Sequence, residues 1–374
     1  MRKMISCMAV VCLLLTGVSA RAQTAPPAIS SLSAVVYEPT SGLVLYEKAA
    51  DTPRPMASTT KLMTALLAAK RLEPTATVTV SEAALPVEGS QIGLTAGDTV
   101  TVKDLLAGLL LASGNDAANA LACAMADSLP EFATLMNREA KELGMTNATF
   151  VTPSGLDEGA HSASARDMAL LGAAVLREPL LADLCAAKTA TITIGGRRLT
   201  VANHNKLLKL TDDCIGLKTG FTKKAGRCLV SAVERDGITL IIATLNGGDY
   251  WNDHLSLYDY AFSLIERQPL PQRIPTTCPV AGGTASQVPL TAAVPTDMVV
   301  RKGEKITVTV ALPRFVWAPV AAGAEVGTAT YTVGEREIAC VPLTARETVD
   351  ARPVPTGAAR WWRHVIQLYE GLIQ

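Results

Sequence analysis

The sequence predicts an α+β protein in which helices pack against an antiparallel sheet, followed by a small all-β domain. Three observations carry this reading. Strand signals come first, helix signals fill the middle and strands return, an order that layers helices on an antiparallel sheet. After Gln268-Pro269-Leu270-Pro271 the texture changes to short alternating segments punctuated by Lys302-Gly303, Ala322-Gly323 and Val333-Gly334. The 374 residues are 49% hydrophobic and 18% charged, too apolar for a disordered chain and enough for one large domain or two ordinary ones.

Arg2 and Lys3 precede an apolar run from Met4 to Leu15, and Ala20-Arg21-Ala22 fits a small-x-small cleavage site. Residues 1–22 therefore read as a secretory signal peptide cut after Ala22, with an uncleaved anchor as the competing reading. Ala34–Tyr37 and Leu43–Tyr46 flank the turn Pro39–Gly42 as a hairpin. A helix is expected from Ser58 through Lys70, and Thr101-Val102-Lys103-Asp104 reads as a capping box before another. Further helices are expected over Asn115–Met125, Pro130–Leu143, Ala165–Leu176 and Asn252–Glu266. Between the last two, Ile215–Thr219 reads as a strand, and Cys228–Glu234 pairs with Ile238–Leu245 across Arg235-Asp236-Gly237. These elements set a first domain over 23–272. The β-rich domain follows over 273–350, where Lys305–Ala311 alternates strictly.

A linker rich in Pro, Gly and Ala (351–359) leads to 360–374, where Trp361, Val365, Leu368 and Leu372 form one helical stripe with Trp362, Ile366, Tyr369 and Ile373 beside it. Such a helix is about 22 Å long, too short to span a bilayer. It suits either the membrane interface, with its Trp and Tyr at headgroup level, or packing on the preceding domain. Export permits disulfides among Cys123, Cys185, Cys214, Cys228, Cys278 and Cys340. Cys278 and Cys340 share the β-rich stretch and are bridge candidates; buried free thiols are the other reading. No spacing suggests zinc.

Lys plus Arg and Asp plus Glu both total 34, which argues against a nucleic-acid partner. Removing the signal peptide takes Arg2, Lys3 and Arg21 and leaves 31 basic against 34 acidic residues. Residues 351–374 keep 3 basic against 1 acidic, so a basic, aromatic tail ends an acidic body.

Three clusters carry chemistry. Ser58-Thr59-Thr60-Lys61 puts a hydroxyl and an amine one helical turn apart. A serine needs a nearby base, and a desolvated lysine near another cation can be one; a capping serine beside a surface lysine is the plain alternative. Ser113-Gly114-Asn115 sits in a polar break between apolar helices, where Asn115 or Asp116 could simply cap. Lys218-Thr219-Gly220 lies on a strand followed by Phe221, with Gly220 permitting close backbone approach; an edge-strand lysine is the plain alternative.

Together and in this order, the trio resembles class A β-lactamases and penicillin-binding proteins. The stretches SQIGLTAGDTVTVKDLLAGLLLASGNDAANALA, FATLMNREAKELGMTNATFVTPSGLDEGAHSASARDMALL and CIGLKTGFTKKAGRCLVSAVERDG resemble low-molecular-mass serine-type D-alanyl-D-alanine carboxypeptidases, the S11 peptidases. APVAAGAEVGTATYTVGEREIACVPLTA resembles that family's β-rich C-terminal domain. The resemblance implies a penicillin-binding transpeptidase-type fold and a catalytic role for the first domain. It implies that Ser58 attacks between the two D-alanines of a peptidoglycan stem peptide, Lys61 takes its proton and Ser113 relays one. It also implies that Asn115 holds a substrate amide, Lys218, Thr219 and Gly220 form the carboxylate side, and the backbone N–H groups of Ser58 and Phe221 form the oxyanion hole. No cofactor or metal is implied. β-Lactams are expected inhibitors, and the expected location is the outer face of the cytoplasmic membrane, bound peripherally through the tail.

Two positions depart from the family pattern. His204 stands where some members place a carboxylate-binding Arg, so it either contributes there or is structural. His161 is followed by Ser162 rather than an aromatic and is given no catalytic role. Two rivals remain. A β-lactamase would carry a deacylating E-x-x-L-N segment, but Glu178-Pro179-Leu180-Leu181-Ala182 lacks the asparagine. A catalytically silent binding protein would not need all three motifs.

Overall fold

The computed structural model describes residues 25–85, 87–353 and 357–370; the expected signal peptide lies outside them. The described chain opens with a hairpin of β1 (Ser33–Glu38) and β2 (Leu43–Lys48), and a 3-10 turn (Ala57–Thr60) leads into α1 (Lys61–Arg71). A ribbon of β3 (Thr77–Thr79) and β4 (Thr99–Thr101) precedes α2 (Val102–Leu110), α3 (Asn115–Met125) and α4 (Leu129–Glu142). Next come α5 (Ala165–Leu176), α6 (Pro179–Ala186), a ribbon of β5 (Thr189–Ile194) and β6 (Arg197–Ala202), and the single turn α7 (Leu207–Leu210). The meander β7 (Cys214–Thr222), β8 (Gly226–Arg235) and β9 (Ile238–Gly247) ends in α8 (Tyr250–Leu264). The C-terminal part holds β10 (Ile265–Pro269), β11 (Thr277–Ala281), β12 (Gln287–Thr291), β13 (Asp297–Arg301), β14 (Ile306–Ala311), β15 (Val316–Trp317), β16 (Glu325–Val333), β17 (Arg336–Ala345) and α9 (Gly357–Glu370).

The first sheet is antiparallel throughout, ordered β2-β1-β9-β8-β7, and β7 is an open edge. Its strands read as near-continuous apolar runs because both faces are covered. Val35, Val230, Ala232, Ile241 and Ala243 face the helical layer, while Ala34, Val36, Leu229, Val233, Leu240 and Ile242 face α8. Helix α1 is the axis of the helical layer: every residue from Lys61 to Ala68 is buried. The second sheet is ordered β14-β16-β17-β12-β11-β15, with the β11–β15 pair parallel.

Several elements differ from the sequence expectation. The helix expected from Ser58 begins as a 3-10 turn, and α1 proper starts at Lys61. Residues 265–269 are a strand rather than the end of α8, because β10 pairs with β13 some 30 residues later, a contact no local signal announces. The capping box at Thr101 is half made. Thr101 Oγ1 accepts from Asp104 N (3.1 Å), but the Asp104 carboxylate accepts from Thr193 N instead (3.2 Å). A complete box sits at Ser164 and Asp167. Helix α6 and the β5–β6 ribbon were not foreseen. The six cysteines of the described chain are free; Cys278 is buried and Cys340 exposed, so the candidate bridge is not made. No described side chain of α9 is buried, and Trp361, Trp362, Ile366, Leu368 and Tyr369 are exposed, so the helix does not pack on the body. Among the described residues, no helix is long and apolar enough to cross a membrane.

Between the first sheet and α8, His254 is fully buried. Its Nδ1 meets Ser231 Oγ (2.6 Å) and its Nε2 meets Thr244 Oγ1 (2.8 Å), while Tyr258 Oη also reaches Ser231 Oγ (2.6 Å). Burial pushes the His254 pKa down to about 3, against a small opposing effect of Asp253. A depressed histidine stabilises the fold above its unfolded pKa of about 6.5 and loses that contribution as pH falls toward the folded value. Denaturant titrations should therefore show about 2–3 kcal/mol less stability from this group at pH 4.5 than at pH 7.5. A His254→Gln protein that still folds should lose correspondingly less over that interval.

Candidate active site

The site forms where the start of α1, the α2–α3 loop, the 150–161 loop and the edge strand β7 meet. Lys61 is fully buried, and its Nζ makes three contacts: Ser58 Oγ at 2.8 Å, Asn115 Oδ1 at 2.6 Å and Ser154 O at 2.7 Å. Asn115 Nδ2 donates to Glu88 O, a group that only accepts, which fixes Oδ1 toward Lys61. Two of the three contacts are therefore acceptors. A neutral amine has two N–H donors and one lone pair, so donating to Asn115 Oδ1 and Ser154 O leaves the lone pair for the Ser58 O–H.

Electrostatics favour that neutral form. Burial holds the Lys61 pKa well below the usual lysine value, the Lys218 charge lowers it further, and Asp116 opposes both. Lys218 is itself buried and pushed down to about 8, chiefly by burial. Among the described residues its Nζ donates to Thr219 O alone, at 3.2 Å. The Lys218 charge lowers the pKa of both Lys61 and His204, while Thr219 lines the cleft.

The supporting backbone is unusual at three points. Ala57, Ser113 and Leu217 have φ of 48°, 62° and 76°, left-handed values that cost non-glycine residues on the order of 1–3 kcal/mol each. They immediately precede Ser58, Gly114-Asn115 and Lys218. Two glycines let the segments close together. Gly155 (φ +88°) lies so near the Ala57 carbonyl that any Cβ would overlap it, which seats the Ser154 carbonyl over Lys61. A Cβ on Gly220 would come within 3.0 Å of Met56 O, Ser58 N and Thr59 N. The Ser58 turn and β7 thus touch backbone to backbone, bringing the Ser58 and Phe221 amides to one place. An open cleft of about 340 Å³ lies over Ser58, walled by Ser113, Thr219, Gly220 and Phe221 with His204 and Trp251 at its sides.

The family model described as D-alanyl-D-alanine carboxypeptidase matches residues 20–248. The chain belongs to the S11 D-alanyl-D-alanine carboxypeptidases. A second model, the C-terminal domain of penicillin-binding protein 5, matches residues 271–351. The chain is 32% identical to D-alanyl-D-alanine carboxypeptidase DacF of Bacillus subtilis over 340 residues, 87% of each protein. It is 32% identical to DacC of Escherichia coli over 356 residues, covering 90% of this chain and 88% of that protein. Penicillin-binding protein 5 of Haemophilus influenzae superposes with a TM-score of 0.72 at 28% identity, covering 87% of this chain and 99% of that structure. This serine-type D-Ala-D-Ala carboxypeptidase therefore has the penicillin-binding type of fold, with an all-β C-terminal part.

Ser58, Ser113, Thr219, Gly220 and Phe221 line one cleft, Lys61 hydrogen-bonds both Ser58 and Asn115, and Lys218 is buried nearby. Asn115 differs in emphasis: its amide is committed to Lys61 and Glu88 O, leaving one N–H for a ligand. Ser113 Oγ has no hydrogen-bond partner among the described residues and lines the cleft. His204 lines it too, its pKa lowered by burial and then by the Lys218 charge. Sequence reasoning missed Ser154 and Glu88, which act through backbone carbonyls and carry no side-chain signature. It missed the cleft cations Lys206 and Arg227, the latter 5.7 Å over the Phe221 ring. It also set aside His161. That buried ring accepts from Val151 N (2.9 Å) at Nδ1, so its Nε2–H donates to Thr60 Oγ1 (2.8 Å) and ties the Ser154 loop to the Ser58 turn. Asp116 locks the other wall, accepting from the backbone of Ile92, Gly93 and Leu94 at 2.9–3.1 Å.

A Gly220→Ala substitution should lower the rate of acylation by about 30–1000-fold, because displacing a preorganised backbone donor such as the Ser58 amide costs on the order of 2–4 kcal/mol. Its melting temperature should fall only modestly. A variant acylated at the parent rate would show that the close approach of β7 is not needed.

Proposed function

We propose that the enzyme removes the terminal D-alanine from peptidoglycan stem pentapeptides through an acyl-enzyme on Ser58. The observation that carries this is the Lys61 contact set, two fixed acceptors and one serine. The Ser58 proton passes to Lys61 Nζ as Oγ attacks the penultimate carbonyl carbon. The Ser58 and Phe221 N–H groups hold the developing oxyanion, and preorganised donors of this kind act strongly in a dry site. The terminal carboxylate lies by Thr219, with positive charge from Lys218, Lys206 and Arg227 around it. The C–N bond then breaks, the amine takes the proton from Lys61 by way of Ser113, and D-alanine leaves. Water, deprotonated by Lys61, attacks the ester and restores Ser58.

Penicillin would acylate the same serine, since its strained amide meets the same groups. Among the described residues lining the cleft there is no carboxylate to speed deacylation, which favours a persistent penicilloyl-enzyme over β-lactamase turnover. Labelled penicillin should mark the parent protein but not Ser58→Ala, and D-alanine release from a diacyl D-Ala-D-Ala peptide should be lost in that variant and blocked by penicillin. Label retained on Ser58→Ala would sink the mechanism; fast penicillin hydrolysis with no D-alanine release would favour the β-lactamase reading.

The domain reading accompanies this function: a signal peptide over 1–22, the catalytic part over 23–272, the β-rich part over 273–350, a linker over 351–359 and a surface helix over 360–374. The enzyme then works on the outer face of the cytoplasmic membrane, held peripherally. The exposed apolar stripe of α9, with Arg360 and Arg363, supports attachment to an anionic surface. A chain ending at Asp350 should keep its activity and no longer sediment with membranes; unchanged sedimentation would refute the anchor.

A further inference from the structure

The body of the protein exposes a second aromatic patch, at the β15 edge of the C-terminal sheet. Trp317 is 72% exposed and Phe315 46%, and their rings meet edge to face with centroids 5.2 Å apart. The flanking residues are Pro313, Arg314, Val316, Ala318 and Pro319.

This patch sits at the corner from which the chain leaves for α9. Trp317 pairs with Ala281, and Ala318 N donates to Ala281 O (3.0 Å). On the next residues, Arg352 N donates to Gly282 O (2.8 Å) and Arg352 Nε to Gly283 O (2.6 Å). Val320 and Val349 bridge the two segments. Arg352 is therefore pinned beside Trp317, and Gly357, where α9 begins, is five residues further on. Five residues span at most about 18 Å. A surface-bound α9 holds this corner, rather than any other part of the body, next to the lipid.

We propose that Phe315 and Trp317 form a second membrane contact that inserts at the headgroup level and fixes the orientation of the body above the bilayer. The inference rests on the reading of α9 as a surface helix and adds to it a point on the body itself. Exposed Trp beside Phe and Arg is the composition of an interfacial anchor. Arg314 and Arg352 put positive charge at the same corner, with Asp350 the opposing charge. The alternative of a glycan site is less well served. Sugar rings need polar partners for their hydroxyls, and the flanking residues are proline and aliphatic apart from Arg314. A helix alone on a linker would leave the catalytic cleft free to tumble; two contacts hold it at one height.

The test uses the chain from residue 23 to 374 with Trp361→Phe and Trp362→Phe, leaving Trp317 and the cleft residue Trp251 as its tryptophans. On vesicles of phosphatidylglycerol and phosphatidylcholine with brominated acyl chains, the bound protein should show quenched, blue-shifted emission that disappears when Trp317→Phe is added. In an otherwise unaltered chain, Phe315→Ser/Trp317→Ser should weaken vesicle binding by about tenfold, with D-alanine release from a soluble peptide unchanged. Vesicle-bound protein whose Trp317 is not quenched, or a double variant that binds equally well, would overturn the proposal. So would loss of binding to insoluble peptidoglycan in the double variant together with an unquenched Trp317 in the Trp361→Phe/Trp362→Phe chain. The chain ending at Asp350 is the separate control: its undiminished vesicle binding would refute the α9 reading, whereas Trp317 quenching is read only on bound protein.

Discussion

The structure depends on one constraint: a lysine placed in the dry centre of the helical layer with another lysine nearby. Water would stabilise its ammonium form, but α1 is buried all round at this point, and a second cation raises the cost further. Burial and the Lys218 charge both lower the Lys61 pKa, and the groups around it can serve the neutral amine. Asn115 Oδ1 and Ser154 O take its two hydrogens, and the Ser58 hydroxyl meets its lone pair. Reactivity here follows from burial and hydrogen-bond counting. The serine has a lysine rather than a histidine beside it, and burial lowers that lysine's basicity.

Much of the architecture serves to keep that arrangement in place. The Asn115 amide is oriented by the Glu88 carbonyl, the Ser154 carbonyl by Gly155 against Ala57, and the Ser154 loop by His161 on Thr60. Strained backbone at Ala57, Ser113 and Leu217 aims three segments at one point, and the packed helices and the sheet supply the stability that holds it. The edge position of β7 leaves a row of backbone groups free for an extended peptide to pair with. The fold thus sets an edge strand, the backbone of the Ser58 turn and a buried lysine of lowered pKa side by side.

The parts legible in the sequence were those written in side chains at local spacing. Ser58 with Lys61, Ser113 with Asn115, and Lys218 through Phe221 are three short clusters, and the α+β order follows from periodicity. What escaped was written in backbone or in long-range pairing. A carbonyl such as that of Ser154 leaves no residue-type signal, so neither it nor Glu88 could be named. His161 was given no catalytic role, and its two ring nitrogens join separate segments, a link no local signal announces. The β10–β13 pairing overrode what looked like the end of a helix, since a partner 30 residues away cannot be read locally. Lys218 was read as both a carboxylate ligand and an electrostatic influence, and its burial, which lowers its own pKa, carries no sequence signal.

The central claim is that Lys61 rests as a neutral base, and its own titration tests this most directly. With ε-carbon-labelled lysine, the Lys61 resonance, assigned by its loss in Lys61→Met, should titrate well below the ordinary lysine range. Lys218→Met should move that midpoint upward, because one of the two causes of the depression is then gone. A Lys61 resonance that stays protonated to about pH 10 in the intact enzyme, at a pH where Ser58 is acylated at full rate, would contradict the account.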